Sequence, residues 1–228
     1  MNPAPRTPTR ITIVDDHALF AESLAMTLEA EGYPVRRVDL AGGQMSLAAV
    51  LSATLRTTPR IVLLDLDLGA TGDGTGLVEP LARAGTSVIV VTGSSDRTRW
   101  GECLRRGART VLAKTAPLQE VVACVRRARD GLPLMSMETR VELIELAIDA
   151  SDEVRAIRAR LDRLTRREME ILGALMRGEQ VREIARRSVV SEATVRTQVK
   201  SILAKLEINS QLAAVGVAHR AGWRAPTD

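Results

Sequence analysis

Near residue 60 the chain reads Arg60-Ile61-Val62-Leu63-Leu64-Asp65-Leu66-Asp67. Aliphatic residues that run straight into a carboxylate are typical of a short strand covered on both faces, as in a parallel sheet. Such a strand cannot hold Asp65 in its middle without a large desolvation cost. We therefore expect Asp65 at the carboxyl end of the strand, where open α/β sheets bind ligands. A carboxylate there is a metal ligand, a nucleophile or a helix cap.

Similar apolar runs recur through the first 130 residues and alternate with amphipathic segments. The predicted strands are Ile11–Val14, Val35–Leu40, Arg60–Asp65, Ser87–Thr92 and Thr110–Ala113. The predicted helices are Leu19–Glu31, Met45–Arg56, Leu77–Ala84, Thr98–Arg106 and Pro117–Arg129, and Gly69–Gly76 is predicted to be a loop. Five strand-helix alternations predict an α/β fold with a doubly wound, five-stranded parallel sheet and right-handed crossovers.

Polar residues follow four of the five strands: Asp15-Asp16, Asp65, Thr92 and Lys114. Because the carboxyl ends of parallel strands lie along one edge, we expect these groups to meet in one crevice. Neighbouring carboxylates repel one another unless a cation lies between them, and all-oxygen ligation favours Mg²⁺. A metal-bound Asp65 that faces an ammonium and a hydroxyl forms a site for a phosphoryl group.

Each of these residues has a simpler interpretation when it is taken alone. The acidic pair is typical of a helix N-terminus, Thr92 of a turn and Lys114 of a solvated surface. His17 is interpreted as a residue at the start of a helix. The four residue types at four strand ends, in the right order, are what favours the phosphoryl site.

Residues 9–130 resemble a two-component receiver domain, which has a flavodoxin-like fold. The matching residues are Asp15-Asp16-His17, Asp65 after Ile61–Leu64, Thr92 after Val88–Val91, and Lys114 after Gly107-Ala108. The resemblance implies that Asp65 accepts a phosphoryl group from a sensor histidine kinase. It implies that Asp16, assisted by Asp15, and the backbone carbonyl of Asp67 complete a Mg²⁺ site. It also implies that Thr92 is the switch hydroxyl and that Lys114 pairs with the phosphoryl group.

The sequence departs from the receiver pattern in two places. Val111 stands three residues before Lys114, where the family usually has an aromatic residue, so the aromatic switch cannot operate in its usual form. The loop Gly69–Gly76 has four glycines where a proline is common, and we expect it to be mobile.

Residues 131–163 are predicted to be a helical linker. Apolar residues recur at helical spacing from Met137 to Leu164, and Ser151 is a candidate cap at which a second helix restarts. A signalling or dimer helix and a tether that packs on its own domains both agree with this pattern.

Residues 164–224 are predicted to form four helices. Thr165 and Glu168 have capping-box spacing, and Ser191 precedes a helix from Glu192 to Leu206. Val195, Val199, Ile202 and Leu206 form the apolar stripe of that helix, and Arg196, Thr197 and Lys200 lie on another face. A cationic helix that follows a tight turn is typical of a helix-turn-helix domain, which places it in the DNA major groove.

This segment resembles the LuxR-type DNA-binding domain. The matching run is Leu164-Thr165, Arg167-Glu168, Ile171-Leu172, Gly178, Glu183-Ile184-Ala185, Val190-Ser191-Glu192, Thr194-Val195, Val199, Ile202-Leu203 and Lys205-Leu206. The resemblance implies that Arg196, Thr197 and Lys200 face the bases and that Arg182, Thr194 and Lys205 contact phosphates. Departures from its pattern are Val181, Ser188, Glu207 and Gln211, and the residue at 207 is often glycine in the family.

The charge distribution agrees with a DNA-binding C-terminal part. Residues 1–150 have a net charge of −1, whereas residues 151–228 have a net charge of +5. No apolar run approaches the ~18 residues of a membrane helix, and the Pro-rich start has no signal-peptide pattern. We therefore expect a cytoplasmic protein with no membrane association.

A receiver followed by this domain resembles a response regulator of the NarL/FixJ class. The expected function is that of a DNA-binding transcriptional regulator that is switched by phosphorylation of Asp65. A homodimer is the expected active form. One alternative is a regulator that is never phosphorylated. The other is a phosphatase of the haloacid-dehalogenase type, because Asp65-Leu66-Asp67 also resembles its Asp-x-Asp motif, with Asp67 as the acid/base.

Overall fold

The structure is a computed structural model that describes residues 8–40 and 45–225. The chain divides into two compact units, residues 1–148 and 149–228, and each is described by itself. Most of the Pro-rich start, in which we expected no signal peptide, lies outside the described residues. Within the described ranges no helix combines the length and the apolar character that a membrane crossing requires.

The first unit contains a sheet in which every pair of neighbouring strands is parallel. The strands are β1 (Ile11–Val14), β2 (Val35–Arg37), β3 (Ile61–Leu64), β4 (Ser87–Thr92) and β5 (Thr110–Ala113), in the order β2-β1-β3-β4-β5. The helices between and after them are α1 (Ala18–Ala30), α2 (Leu47–Arg56), α3 (Thr75–Arg83), α4 (Arg97–Arg105) and α5 (Leu118–Arg129). The prediction of a doubly wound, five-stranded parallel sheet is confirmed.

Strand β3 is buried along its whole length, as its aliphatic composition predicts. Successive side chains point to opposite faces, so Ile61 and Leu63 pack in one core and Val62 and Leu64 in the other. Asp65 is the first residue after the strand, and its backbone N–H donates to the carbonyl of Val14 on β1 at 2.8 Å. The two cores thus leave Asp65 at the rim of the sheet.

Strand β2 is shorter than predicted. It ends at Arg37 rather than at Leu40. The last pair of the ladder is Arg37 with Ile13, and the Val38 N–H still donates to the Ile13 carbonyl at 2.9 Å, close to the end of β1 at Val14.

The Gly-rich segment after β3, which we predicted to be mobile, is a hydrogen-bonded turn. It begins with a short 3₁₀ turn, and α3 starts at Thr75, inside the predicted loop, because Asp73 Oδ1 accepts the Thr75 N–H at 2.9 Å. A Cβ at Gly74 would lie 2.3 Å from the carbonyl oxygen of Asp65. Gly74 therefore allows the turn to pack directly against the residue that ends β3.

Helix α6 (Met137–Leu161) is a single continuous helix. The predicted restart at Ser151 is wrong, since Ser151 lies within the helix. Arg155 donates to Asp152 at 2.7 Å, and such a pair one turn apart stabilises a helix interior.

The second unit contains the last part of α6 and four further helices. These are α7 (Arg166–Met176), α8 (Val181–Arg187), α9 (Glu192–Leu206) and α10 (Gln211–Arg220). The predicted stripe on α9 is buried, and it packs in one core with Ile157 and Leu161 of α6. This arrangement confirms the prediction of a four-helix C-terminal domain.

In each of two turns of the second unit, a residue other than glycine adopts the left-handed backbone conformation. Val189, in the turn between α8 and α9, has φ 53°, and Glu207, which follows α9, has φ 59°. Glu207 thus occupies the position where a glycine would be unstrained. Its carboxylate lies 3.0 Å from the guanidinium of Arg160, so the side chain that strains the turn also forms an ion pair.

We predict that Val189→Asn stabilises the protein. A left-handed conformation costs about 1–2 kcal/mol for an L-residue and is worst for a β-branched one, whereas asparagine tolerates it. The Val189 side chain is 90% exposed, so the substitution removes almost no buried surface. Chemical denaturation should show an increase of about 1 kcal/mol in the free energy of unfolding of the C-terminal unit. The control is Val190→Asn at the next position, and an equal gain there would contradict the strain argument.

Candidate functional site

The carboxyl end of the sheet brings together residues that lie far apart in the chain. The Lys114 ammonium, after β5, lies 2.8 Å from the Asp15 carboxylate, after β1, and 2.7 Å from Asp65 Oδ2, after β3. Both carboxylates are buried, and the lysine side chain is largely covered. One ammonium therefore bridges two buried acids at the sheet edge.

The Asp65 carboxylate is held by hydrogen bonds on both of its oxygens. Oδ1 accepts the backbone N–H groups of Leu66 at 2.7 Å and Asp67 at 3.2 Å, and Oδ2 accepts from Lys114. These donors compensate much of the cost of burying a charged group. They also fix the orientation of the carboxylate.

Asp16 and His17 extend this group of residues toward solvent. His17 Nδ1 lies 2.7 Å from Asp16 Oδ1 and 3.8 Å from Asp65 Oδ2. Ligand atoms of Asp15, Asp16, His17 and Asp65 all lie within 4.8 Å of one another. We predicted His17 to be only a helix-start residue. It does precede α1, but its imidazole also belongs to the acidic cluster, and its position directly after Asp15-Asp16 was the signal in the sequence.

The close packing of charges changes two pKa values in this cluster. Burial raises the pKa of Asp15, although the hydrogen bonds from Lys114 and from the His17 N–H oppose that change. Burial alone would lower the pKa of Lys114, but its bonds to Asp15 and Asp65 raise it above the ordinary value. Lys114 is therefore firmly cationic.

Thr92 ends β4 beside this cluster and is fully buried. Its Oγ1 accepts the backbone N–H of Ser94 at 3.2 Å, and its carbonyl accepts the N–H of Lys114 at 2.8 Å. The backbone thus joins the predicted switch hydroxyl to the predicted phosphoryl-binding lysine.

The carboxylate of Asp67 points to a different partner. Arg99, in the first turn of α4, donates to Asp67 Oδ1 at 2.8 Å, to the carbonyl of Leu66 at 2.9 Å and to Asp73 Oδ1 at 2.8 Å. The Asp67 carboxylate is thus engaged by α4, and the receiver resemblance assigns only the backbone carbonyl of Asp67 to the predicted metal site. Sequence reasoning missed Arg99, because a lone arginine on a helix about 30 residues from its partners gives no distinguishing pattern.

The C-terminal unit presents the predicted DNA-reading residues on the surface of α8 and α9. Arg182, Thr194, Arg196, Thr197 and Lys200 are exposed. Arg196 pairs with Glu192 on its own helix, at 3.3 Å, and Thr197 donates to the carbonyl of Ala193 at 3.0 Å. Such exposed contacts are weak and easily exchanged for contacts with DNA.

Lys205, a predicted phosphate contact, has an acidic partner within its own unit. Its ammonium lies 2.6 Å from the buried carboxylate of Glu168, which also accepts from Ser201 at 2.6 Å and from the Thr165 N–H at 2.7 Å. Lys205 therefore ties α9 to α7, and its contact with a phosphate stays a prediction. The capping box of Thr165 and Glu168 is present as predicted, but the internal role of Lys205 was hidden because its partner lies 37 residues away.

The comparison with known families agrees with both units. The family model "Response regulator receiver domain" matches residues 11–126, and the model "Bacterial regulatory proteins, luxR family" matches residues 162–218. The chain is a response regulator. Its receiver is followed by a LuxR-type DNA-binding domain, as the sequence predicted, and the combination is that of transcriptional response regulators.

Known response regulators match over nearly the whole chain. The transcriptional regulatory protein LiaR of Bacillus subtilis is 24% identical over 213 residues, which cover 92% of this chain and 97% of LiaR. The oxygen regulatory protein NreC of Staphylococcus epidermidis is 23% identical over 206 residues, 89% of this chain and 93% of NreC. RcsB from Salmonella enterica serovar Typhimurium, solved bound to promoter P1flhDC in the presence of phosphomimetic BeF3−, shares the fold, with 22% identity, a TM-score of 0.51 and coverage of 94% and 99%.

We predict that Glu168 makes the helical domain sensitive to acid. Burial would raise the pKa of Glu168, but hydrogen bonds from Lys205, Ser201 and Thr165 outweigh it and hold the pKa at about 2, against an ordinary 4.5. The ionised carboxylate therefore contributes stability above pH 4.5, and this contribution is lost as the pH falls toward 2. It is on the order of 3 kcal/mol, at about 1.4 kcal/mol for each unit of pKa.

The measurement compares the full-length protein with Glu168→Gln. Trp223 packs against the core of the C-terminal unit, so its emission follows unfolding of that unit in a Trp100→Phe background. The free-energy difference between the two proteins should be constant near pH 7 and should shrink between pH 4.5 and 2. A difference that stays constant over that range would contradict the prediction.

Proposed function

We propose that a sensor histidine kinase phosphorylates this response regulator at Asp65 and that phosphorylation controls its binding to DNA. The observation that carries the proposal is the Lys114 ammonium at 2.7 Å from the buried Asp65 carboxylate, within a cluster of three acids at one sheet edge. A structural ion pair needs one acid for one lysine. A cluster of three acids, two of them bonded to the lysine, suits a site that also takes up a cation and an anion.

The proposed transfer forms a bond between phosphorus and an Asp65 carboxylate oxygen and breaks the P–N bond of the kinase phosphohistidine. The imidazole of the kinase keeps the electron pair of that bond. The phosphoryl group adds about −2 charge, which Lys114 is placed to balance. Thr92 supplies a hydroxyl donor at the adjoining strand end once its bond with Ser94 is exchanged.

We propose Mg²⁺ as the cation of this site. Asp15, Asp16 and Asp65 would hold it with their carboxylates and Asp67 with its backbone carbonyl, a set of hard oxygen ligands that suits Mg²⁺. A bound Mg²⁺ would neutralise charge on the transferring phosphoryl group. The side chains of Asp15, Asp16 and Asp65 already point to one place, which supports the proposal.

We propose that the receiver comprises residues 9–130, the linker residues 131–163 and the DNA-binding domain residues 164–224. Arg196, Thr197 and Lys200 would read base edges, and Arg182 and Thr194 would contact phosphates. We further propose a homodimer as the active form, because two linked reading helices bind two half-sites more tightly than one helix binds a single half-site.

The phosphatase alternative finds little support in the geometry. It requires the Asp67 carboxylate to exchange protons with a substrate next to Asp65. That carboxylate instead accepts from the Arg99 guanidinium of α4 at 2.8 Å.

We expect full-length protein incubated with Mg²⁺ and acetyl phosphate to gain one phosphoryl group, measured by intact mass spectrometry. Asp65→Asn should lose the adduct, because an amide oxygen is a poor nucleophile. The matched control Asp67→Asn should keep it, because the Asp67 carboxylate has no part in the proposed transfer. Absence of the adduct in the parent protein would favour the regulator that is never phosphorylated. Turnover of p-nitrophenyl phosphate that Asp67→Asn abolishes would favour the phosphatase.

We also expect Arg196→Ala and Lys200→Ala each to weaken DNA binding by about 1–3 kcal/mol, the range for a specific base-edge contact. The probe is the genomic fragment most enriched by the full-length protein, and binding is measured by fluorescence anisotropy at one fixed salt concentration. Arg177→Ala is the charge-matched control, because Arg177 pairs with Glu179 at 3.0 Å away from α9. Unchanged affinity in both α9 variants would reject α9 as the reading helix.

A further inference from the structure

The peptide unit between Leu66 and Asp67 connects the Asp65 site to helix α4. Its N–H donates to Asp65 Oδ1 at 3.2 Å, and its carbonyl accepts from Arg99 at 2.9 Å. Because a peptide unit is planar and rigid, a change at one end turns the other. A new group on the Asp65 carboxylate would therefore change the hydrogen bond between the Leu66 carbonyl and the Arg99 guanidinium.

The contacts of the Arg99 side chain restrict its movement, so it cannot adjust to a displaced Leu66–Asp67 peptide on its own. Its guanidinium also donates to Asp67 Oδ1 and Asp73 Oδ1, both at 2.8 Å, and its side chain is only 21% exposed. Its backbone lies in the first turn of α4, where Asp96 caps the helix. A displacement of the Leu66–Asp67 peptide must therefore either break these bonds or move the start of α4.

The opposite side of α4 packs closely on the first part of α6. A Cβ at Gly101 would lie 1.8 Å from the carbonyl oxygen of Leu143 and 2.9 Å from Ala147 Cβ, so the backbone of α4 packs directly on the backbone of α6 and on the Ala147 side chain. Arg140 of α6 donates to the carbonyl of Leu104, in α4, at 3.1 Å. These residues all belong to the first compact unit, and their contact leaves little room for α4 to move without α6.

Strand β5, by contrast, lacks the side chain that usually reports the state of a receiver. Val111 is buried in the core and is too short and too confined to swing between two positions. The Arg99 contacts thus form a polar connection between the Asp65 site and the α4–α6 pair.

We propose that Arg99 is a positioning residue that transmits the phosphorylation state of Asp65 to α4, and through Gly101 to the linker helix α6. This inference rests on the proposed function, since it requires phosphorylation at Asp65. In this proposal the Arg99 guanidinium, which donates to three oxygen atoms, takes the role that a rotating aromatic ring has in the usual receiver. Arg99 takes no part in the transfer itself.

Trp100 provides a local reporter for the test. It follows Arg99 directly, and its indole N–H donates to the carbonyl of Ser94 at 2.9 Å, two residues after Thr92. The second tryptophan, Trp223, is replaced by phenylalanine in all proteins compared. Each full-length protein is treated with Mg²⁺ and acetyl phosphate, and the same sample is measured by intact mass and by Trp100 emission.

We expect the parent protein to gain the phosphoryl adduct and to change its Trp100 emission. Arg99→Ala should keep the adduct but show an emission change at least fivefold smaller. Arg99→Lys should give an intermediate change, because an ammonium cannot hold the three oxygens in a planar fork. The matched control is Arg105→Ala, which removes the same charge from the same helix at a residue paired with Glu102, and it should behave like the parent.

Each other outcome contradicts the inference in an identifiable way. An equal emission change in Arg99→Ala and the parent would overturn it and leave the proposed function intact. So would a parent adduct without any emission change, or a folded Arg99→Ala protein that accepts no phosphoryl group, since Arg99 would then serve the transfer. A parent without an adduct would overturn the proposed function and this inference together. If Arg99→Ala shows no thermal unfolding transition, Arg99→Lys decides, and a change as large as that of the parent would overturn the inference.

Discussion

The functional end of the receiver depends on one ion-paired lysine. Lys114 reaches from the end of β5 past β4 to the acids that follow β1 and β3, and it makes the burial of Asp15 and Asp65 possible. Two buried carboxylates without a cation would repel each other and would each lose solvation. The strand order explains the place of this bridge, because the order reverses between β1 and β3, where open α/β sheets form their ligand crevice.

The same bridge leaves the site ready for chemistry. The carboxylate of Asp65 is oriented by two backbone N–H groups, and Asp16 adds an exposed acid at the rim. A cation that entered this cluster would relieve repulsion among the acids, and a phosphoryl group on Asp65 would lie next to Lys114. The stability of the resting site and its response to a ligand therefore come from the same charges.

The C-terminal unit divides its cationic residues between structure and recognition. Lys205 is used inside the unit, where it neutralises the buried Glu168, whereas Lys200, five residues earlier on α9, stays exposed. The departures from the LuxR-type pattern lie near this helix. Ser188 lines a surface pocket with Ile184 where a leucine is usual, and Val189 strains the turn before α9. The helix proposed to face DNA is thus preceded by a strained turn with a surface pocket beside it.

The amino-acid sequence by itself determined the order of strands and helices, the burial of β3, the stripe on α9 and the residues at the strand ends. These features follow from the local hydrophobic periodicity and from the cost of burying charge. Both can be read from a single segment of the chain. Only the tertiary structure decided which charges meet. Arg99 pairs with Asp67, and Lys205 pairs with Glu168, although about 30 residues or more separate the partners in the sequence. These pairs form because the packing of the helices and strands brings the partners together. The turn of Gly69–Gly76 likewise combines hydrogen bonds within the segment with bonds to Leu66, which follows β3, and to Arg99 of α4, and the segment's own sequence does not reveal these outside partners.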